Sequence, residues 1–99
     1  MTEEQLNNLE LELEDELQLM LDASNEEDLR VMTRLKRHLK NGAFYLKSKI
    51  GEFDIDENLS ARSYVINFAR YAFYGVLDEF YVNYQRDLRG LQIENFESE

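Results

Sequence analysis

Cysteine and proline are absent, glycine occurs four times and histidine once. Without cysteine there is no disulfide and no thiolate metal site, and a reducing compartment is the simplest setting. Without proline, and with so few glycines, long helices meet little that would interrupt them. No apolar run approaches the ~18 residues of a membrane span, and the acidic start is the opposite of a signal peptide. A soluble, cytoplasmic chain is therefore expected. Bases are absent where acids crowd: residues 1–28 hold eleven acids and no base, and residues 29–50 hold seven bases and no acid. Residues 51–99 add ten acids and four bases, leaving a formal net charge of −10. That balance argues against nucleic acid as the principal ligand, because phosphate is bound by Lys and Arg. The basic block is the one place where a polyanion could dock.

Ninety-nine residues suffice for one domain, 1–99, with roughly 60 to 65% of the unfolded surface buried on folding. The chain is organised around residues 60–89. From Tyr64 to Leu77 nearly every position is apolar or aromatic, and a helix apolar all round needs cover on every side. Run unbroken from Leu59 to Arg89 it would measure about 45 Å. A domain of this size has a radius of gyration near 13 Å, so the helix either bends near Gly75 or projects. Upstream, Ser24 and Glu27 read as a capping box. Leu29, Met32, Leu35, Leu39, Ala43, Leu46 and Ile50 then form a helical stripe that Gly51 ends. The spacing predicts a helix over 25–50, with Gly42 inside it allowing another helix to approach closely. Residues 1–22 place Leu6, Leu9, Leu13, Leu17, Met20 and Leu21 at steps of three and four, which predicts an acidic N-terminal helix. Leu11 and Leu19 overlay a period-two alternation on it. The tail 90–99 keeps Leu91, Ile93 and Phe96 among acids, the pattern of a docking segment.

No nucleotide-binding loop, zinc-ligand pair or nucleophile elbow is present. Asp54–Asn58 begins like a calcium loop, but Leu59 stands where glycine is needed and Val65 where a bidentate glutamate is needed. Asn58-Leu59-Ser60 is a glycosylation sequon without a secretion signal to use it. His38, among Lys36, Arg37 and Lys40, reads as part of a solvated basic face. One histidine with no nearby carboxylate or nucleophile builds no hydrolytic triad. Asp78-Glu79 reads as solvated surface. These residues give no catalytic set, no cofactor site and no metal site.

Tyr64, Phe68, Tyr71, Phe73, Tyr74, Phe80, Tyr81 and Tyr84 fall on several faces of the long helix. Core packing accounts for one face, and burial between protein subunits accounts better for the whole set, since tyrosine is a preferred interface residue. The basic helix admits two readings, a nucleic-acid patch or a surface for the acidic N-terminal segment of its own or a neighbouring chain. Between chains, that second contact would be head-to-tail and could close into a ring.

Several stretches resemble the head–tail connector (adaptor) proteins of tailed phages, most closely those of Gram-positive hosts. They are Arg70-Tyr71, Val76-Leu77-Asp78-Glu79-Phe80 and Leu88-Arg89-Gly90-Leu91-Gln92-Ile93, with EEDLRVMTRLKRHLKNGAFYLKSKIG similar to the family's first long helix. The resemblance spans residues 25–96, about three quarters of the chain. It rests on apolar and aromatic patterns rather than chemical signatures. The long acidic leader departs from the shorter N-terminal helix common in the family.

The resemblance implies an all-α subunit of a ring of about a dozen copies, which can remain monomeric in isolation. Such a ring sits under the portal in the virion, after assembly in the host cytoplasm. It extends the channel through which DNA passes without specific binding, and presents a platform to a stopper or tail completion protein. By resemblance, Leu91, Ile93 and Phe96 would dock on the portal. An acidic channel wall would let the genome slide. The expectation is thus a non-enzymatic structural connector, whose subunit contacts involve Arg34, Arg37, Lys40, Tyr71, Tyr74, Tyr81 and Tyr84. The rival is an acidic regulator or DNA mimic that occupies a basic protein partner.

Overall fold

The computed structural model describes residues 1–97, which form five α-helices and no strand. They are α1 (Glu3–Glu16), α2 (Glu26–Ile50), α3 (Leu59–Phe73), α4 (Leu77–Asn83) and α5 (Gln85–Glu97). The all-α class expected from the sequence is what the chain adopts.

α1 begins with a capping box the sequence reading passed over. The Thr2 hydroxyl accepts from the Gln5 N–H at 3.1 Å, and the Thr2 N–H donates to the Gln5 amide oxygen at 2.9 Å. The helix stops at Glu16, well short of residue 22. Glu14, Asp15 and Glu16 crowd its last turn with no base among them, which the negative helix end disfavours. Gln18 then takes a left-handed φ of 57°. The Leu19 N–H reaches the Glu14 carbonyl and the Gln18 N–H the Asp15 carbonyl, the paired bonds of a Schellman stop. Met20, expected on the apolar stripe, is 98% exposed in the turn that follows.

The cap of α2 also differs from expectation. Asn25, not Ser24, is the N-cap, and its side chain accepts from the Asp28 N–H at 3.1 Å. Ser24 is turned away and donates through both N–H and hydroxyl to Asp22. At the other end Gly51, with φ 87°, closes α2 by donating to the Lys47 carbonyl. Asn58 caps α3 by accepting from the Ala61 N–H.

α2 and α3 form the centre of the bundle. They approach most closely at Gly42, where an added Cβ would lie 2.9 Å from the Phe68 ring. α1 lies on one flank, where α2 and α3 are the helices it touches and the Gln5 amide donates to Asp56 in the loop between them, while α5 packs on another with α4 leading into it. Leu9, Leu13, Leu35, Leu39, Leu46, Val65 and Phe80 are fully enclosed between these layers. The result has a radius of gyration of 13.8 Å and extents of 46 × 28 × 19 Å.

The long helix read over 59–89 is interrupted twice. Gly75 at φ 73° ends α3 in a second Schellman stop, Val76 N–H to Tyr71 carbonyl and Gly75 N–H to Ala72 carbonyl. Neither a bent nor a projecting single helix forms; Gly75 lies between two separate helices, α3 and α4. Tyr84 breaks the line again, and α5 carries the helix through most of what reads as a tail. Leu91 sits in the core, and Asn95 donates to the Ile50 and Glu52 carbonyls past the end of α2. The last two residues of 90–99 lie outside the described part. Among the described residues no helix is long and apolar enough to cross a membrane.

Candidate interaction surface

The reversal at Gly75 brings α4 back against α3, so the aromatic residues meet one another within one chain. The Phe80 ring lies 4.9 Å from Tyr64, 5.5 Å from Phe68 and 4.6 Å from Tyr84. Tyr71 meets Phe80 and Tyr84 edge-on at 5.5 and 5.6 Å. Tyr81 reaches across to Tyr45 of α2 at 5.3 Å. Burial pushes the Tyr64 phenol well above its ordinary range, with smaller contributions from Tyr45, Tyr81 and Asp87. These contacts correct the view that the aromatic residues outnumber their partners. Tyr71 and Tyr84 are half-buried in an internal cluster, whereas Tyr81 is 40% and Tyr74 61% exposed. The count of partners was too low because a straight helix offers none, and a folded-back one supplies its own.

Leu59 and Val82 are exposed on α3 and α4, and further exposed apolar side chains lie on α2 and α5. On α2 the core face holds Leu35, Leu39, Gly42, Leu46 and Ile50. By helical periodicity the opposite face carries Arg30, Arg37 and Phe44, with Lys40 and Lys47 along one edge of it and Arg34 along the other. Phe44 is 76% exposed in the middle of that basic stripe. The sequence reading missed it, although an aromatic residue placed diametrically opposite the core stripe is the signal that finds it. Arg34, Arg37 and Lys40 are all exposed, and none makes an ion pair within 4.0 Å among the described residues. Lys47 meets Glu52 at 2.9 Å in an exposed pair. His38 is half-buried beside this face rather than freely solvated. Burial first, then Arg37 and Arg34, hold its imidazole below the usual range.

A second exposed apolar area lies on α5, where Ile93 and Phe96 line a shallow groove with Arg89 and Gln92. Leu91 does not belong to it. As a core residue it is unavailable to a partner, which corrects its assignment as a docking residue.

The acidic segment folds onto its own chain, through apolar contacts more than through the basic stripe. Leu6, Leu9, Leu13 and Leu17 bury one face of α1. Arg62 of α3 holds α1 from the side, with Glu12 at 2.6 Å and Asp56 at 3.3 Å. Glu10 and Glu14 are carried inward with the leucines, and one oxygen of each has no hydrogen-bond partner. Burial, then a hydrogen bond and repulsion from Glu14, push the Glu10 carboxyl up to about 7, with Lys36 opposing. The outward face of α1 is left to Glu4, Asn7, Asn8, Leu11 and Asp15, with Leu11 62% exposed.

Exposed apolar side chains thus stand among charged residues on α1 (Leu11), α2 (Phe44) and α5 (Ile93 and Phe96). Among the described residues no group of three or more His, Asp or Glu side chains is placed to hold a metal ion. Compared with protein-family models, curated proteins and solved structures, the chain matches none.

Proposed function

We propose that this chain is a non-enzymatic structural subunit that joins larger parts of a tailed-phage particle, a head–tail connector standing in a ring beneath the portal. What carries the proposal is the exposure of Phe44, Ile93 and Phe96 on α2 and α5, after the internal aromatic cluster has been satisfied. A subunit with apolar centres on different helices can hold more than one neighbour at once. The resemblance of residues 25–96 to connector proteins supplies the kind of neighbour. Ile93 and Phe96, with Arg89 beside them, are the side chains proposed to meet the portal. The acidic surface elsewhere suits a channel wall that DNA passes without sticking.

The test is co-sedimentation of the purified chain with a portal ring. Binding that is lost in the double variant Ile93→Ser, Phe96→Ser supports the proposal, and absence of binding by the parent chain overturns it. The rival, an acidic regulator that mimics DNA, is favoured by the net charge of −10. It would bind a nucleic-acid enzyme tightly and ignore the portal.

A further inference from the structure

Two exposed faces of this chain are complementary in charge and in the spacing of their residues. On α1, Leu11 lies seven residues after Glu4 and four before Asp15, all three on the outward face. On α2, Phe44 lies seven residues after Arg37 on the outward face and three before Lys47 at that face's edge. Seven residues of helix is two turns, about 10.5 Å, so both faces carry a charge, an apolar centre and a second charge at nearly equal intervals. The charges are of opposite sign on the two faces. The contacts that α1 makes with its own chain leave Arg37 without an ion pair among the described residues.

We infer that the outward face of α1 docks on the outward face of α2 of a second copy of this chain, with the two helices parallel. Leu11 covers Phe44, Glu4 meets Arg37 and Asp15 meets Lys47. The parallel orientation follows from charge. Run antiparallel about the same Leu11–Phe44 contact, Asp15 would meet Lys40, but Glu4 would fall opposite Gly51, beside the like charge of Glu52. Lys47 is available because its pair with Glu52 is exposed on both sides, and such pairs hold weakly. The contact uses different patches on the two copies, so it repeats head-to-tail. This inference deepens the connector proposal by naming the residues through which neighbouring subunits would meet, and it is separable from portal binding.

The chain has no cysteine, so single-cysteine variants give an unambiguous test. Leu11→Cys and Phe44→Cys chains, mixed under mild oxidation, are expected to form a mixed disulfide faster than a Met20→Cys and Phe44→Cys mixture. Met20 is the control because it is 98% exposed and lies off the proposed contact. In sedimentation, Arg37→Glu with Lys47→Glu should weaken self-association by about tenfold or more. Glu4→Arg with Asp15→Arg should do the same, and mixing the two variants should restore it. All four positions are exposed, and far-UV circular dichroism checks that each variant is folded.

Equal coupling rates for the two cysteine mixtures, or self-association unaffected by Arg37→Glu, would overturn the inference, as would a parent chain monomeric at every concentration. An Arg37-dependent affinity for a single-stranded oligonucleotide, without the cross-link, would also overturn it in favour of a polyanion on the same face. Portal co-sedimentation that survives any of these results leaves the connector proposal standing and removes only the self-docking.

Discussion

At the scale of single residues, two buried positions carry consequences that can be measured. Gly42 trades helix propensity for proximity. Alanine would gain about 1 kcal/mol in an exposed helix, but here its Cβ would press on the Phe68 ring at 2.9 Å. Phe68 is held in turn by Tyr45 and Phe80, so it has little room to retreat. Overpacking of this kind costs about 1 to 3 kcal/mol, and Gly42→Ala should therefore lower the unfolding free energy by a net of about 1 kcal/mol, read as a lower urea midpoint at unchanged slope. Glu10 is the second. Its carboxyl titrates at about 7 in the folded chain against an ordinary 4.5. The folded state thus holds the proton more tightly than the unfolded state. The stability it confers is complete below pH 4.5 and is lost as the pH rises to about 7. Glu10→Gln removes that titration while keeping a group able to bond Glu14. Thermal melts across this interval should show a flatter pH profile, with the variant more stable than the parent above pH 7.

At the scale of helices, what could be read in advance depended on whether each boundary used the residue that favours it. α3 ends at Gly75 and α2 at Gly51, both at positive φ, and glycine marks such stops in any sequence. α1 ends with the same paired bonds as α3, but Gln18 stands at the left-handed position. Nothing in its chemistry advertises a stop, so the leucine spacing appeared to run on to residue 22. The α2 cap was misplaced by one residue because Ser24 and Asn25 are both good caps, and the choice was made by Asp22, which takes the serine. The break at Tyr84 has neither glycine nor proline to announce it. The mismatch at Gln18 makes its own prediction: Gln18→Gly should relieve about 1 kcal/mol of backbone strain and raise the melting temperature. A variant less stable than the parent would show that the glutamine side chain holds the turn in some other way.

At the scale of the whole molecule, the fold class and the segregation of charge were legible, because helical periodicity and charge counts need no knowledge of neighbours. The surface was only partly so. Arg34, Arg37, Lys40, Tyr74, Tyr81, Ile93 and Phe96 are exposed, whereas Leu91 is buried and Tyr71 and Tyr84 are half-buried. Their burial depends on α4 folding back over α3 and on α5 lying beside it, long-range outcomes that local spacing does not encode. Phe44 was passed over for the opposite reason, since a lone aromatic residue on a basic face belongs to no repeating pattern.

The way α1 is attached has an optical consequence. The chain lacks tryptophan, and none of its six tyrosines lies in α1, so emission excited near 280 nm reports on the other helices. Ellipticity at 222 nm counts every helical turn. Because α1 lies on a flank, packed on α2 and α3 and on no other helix among the described residues, and carries the carboxyl that titrates near neutrality, its departure should dim the second signal before the first. Two denaturation curves recorded on one sample at pH 8 should therefore separate, and at pH 5 they should merge. Curves that coincide at both pH values would mean that the flank helix leaves only when the remainder does.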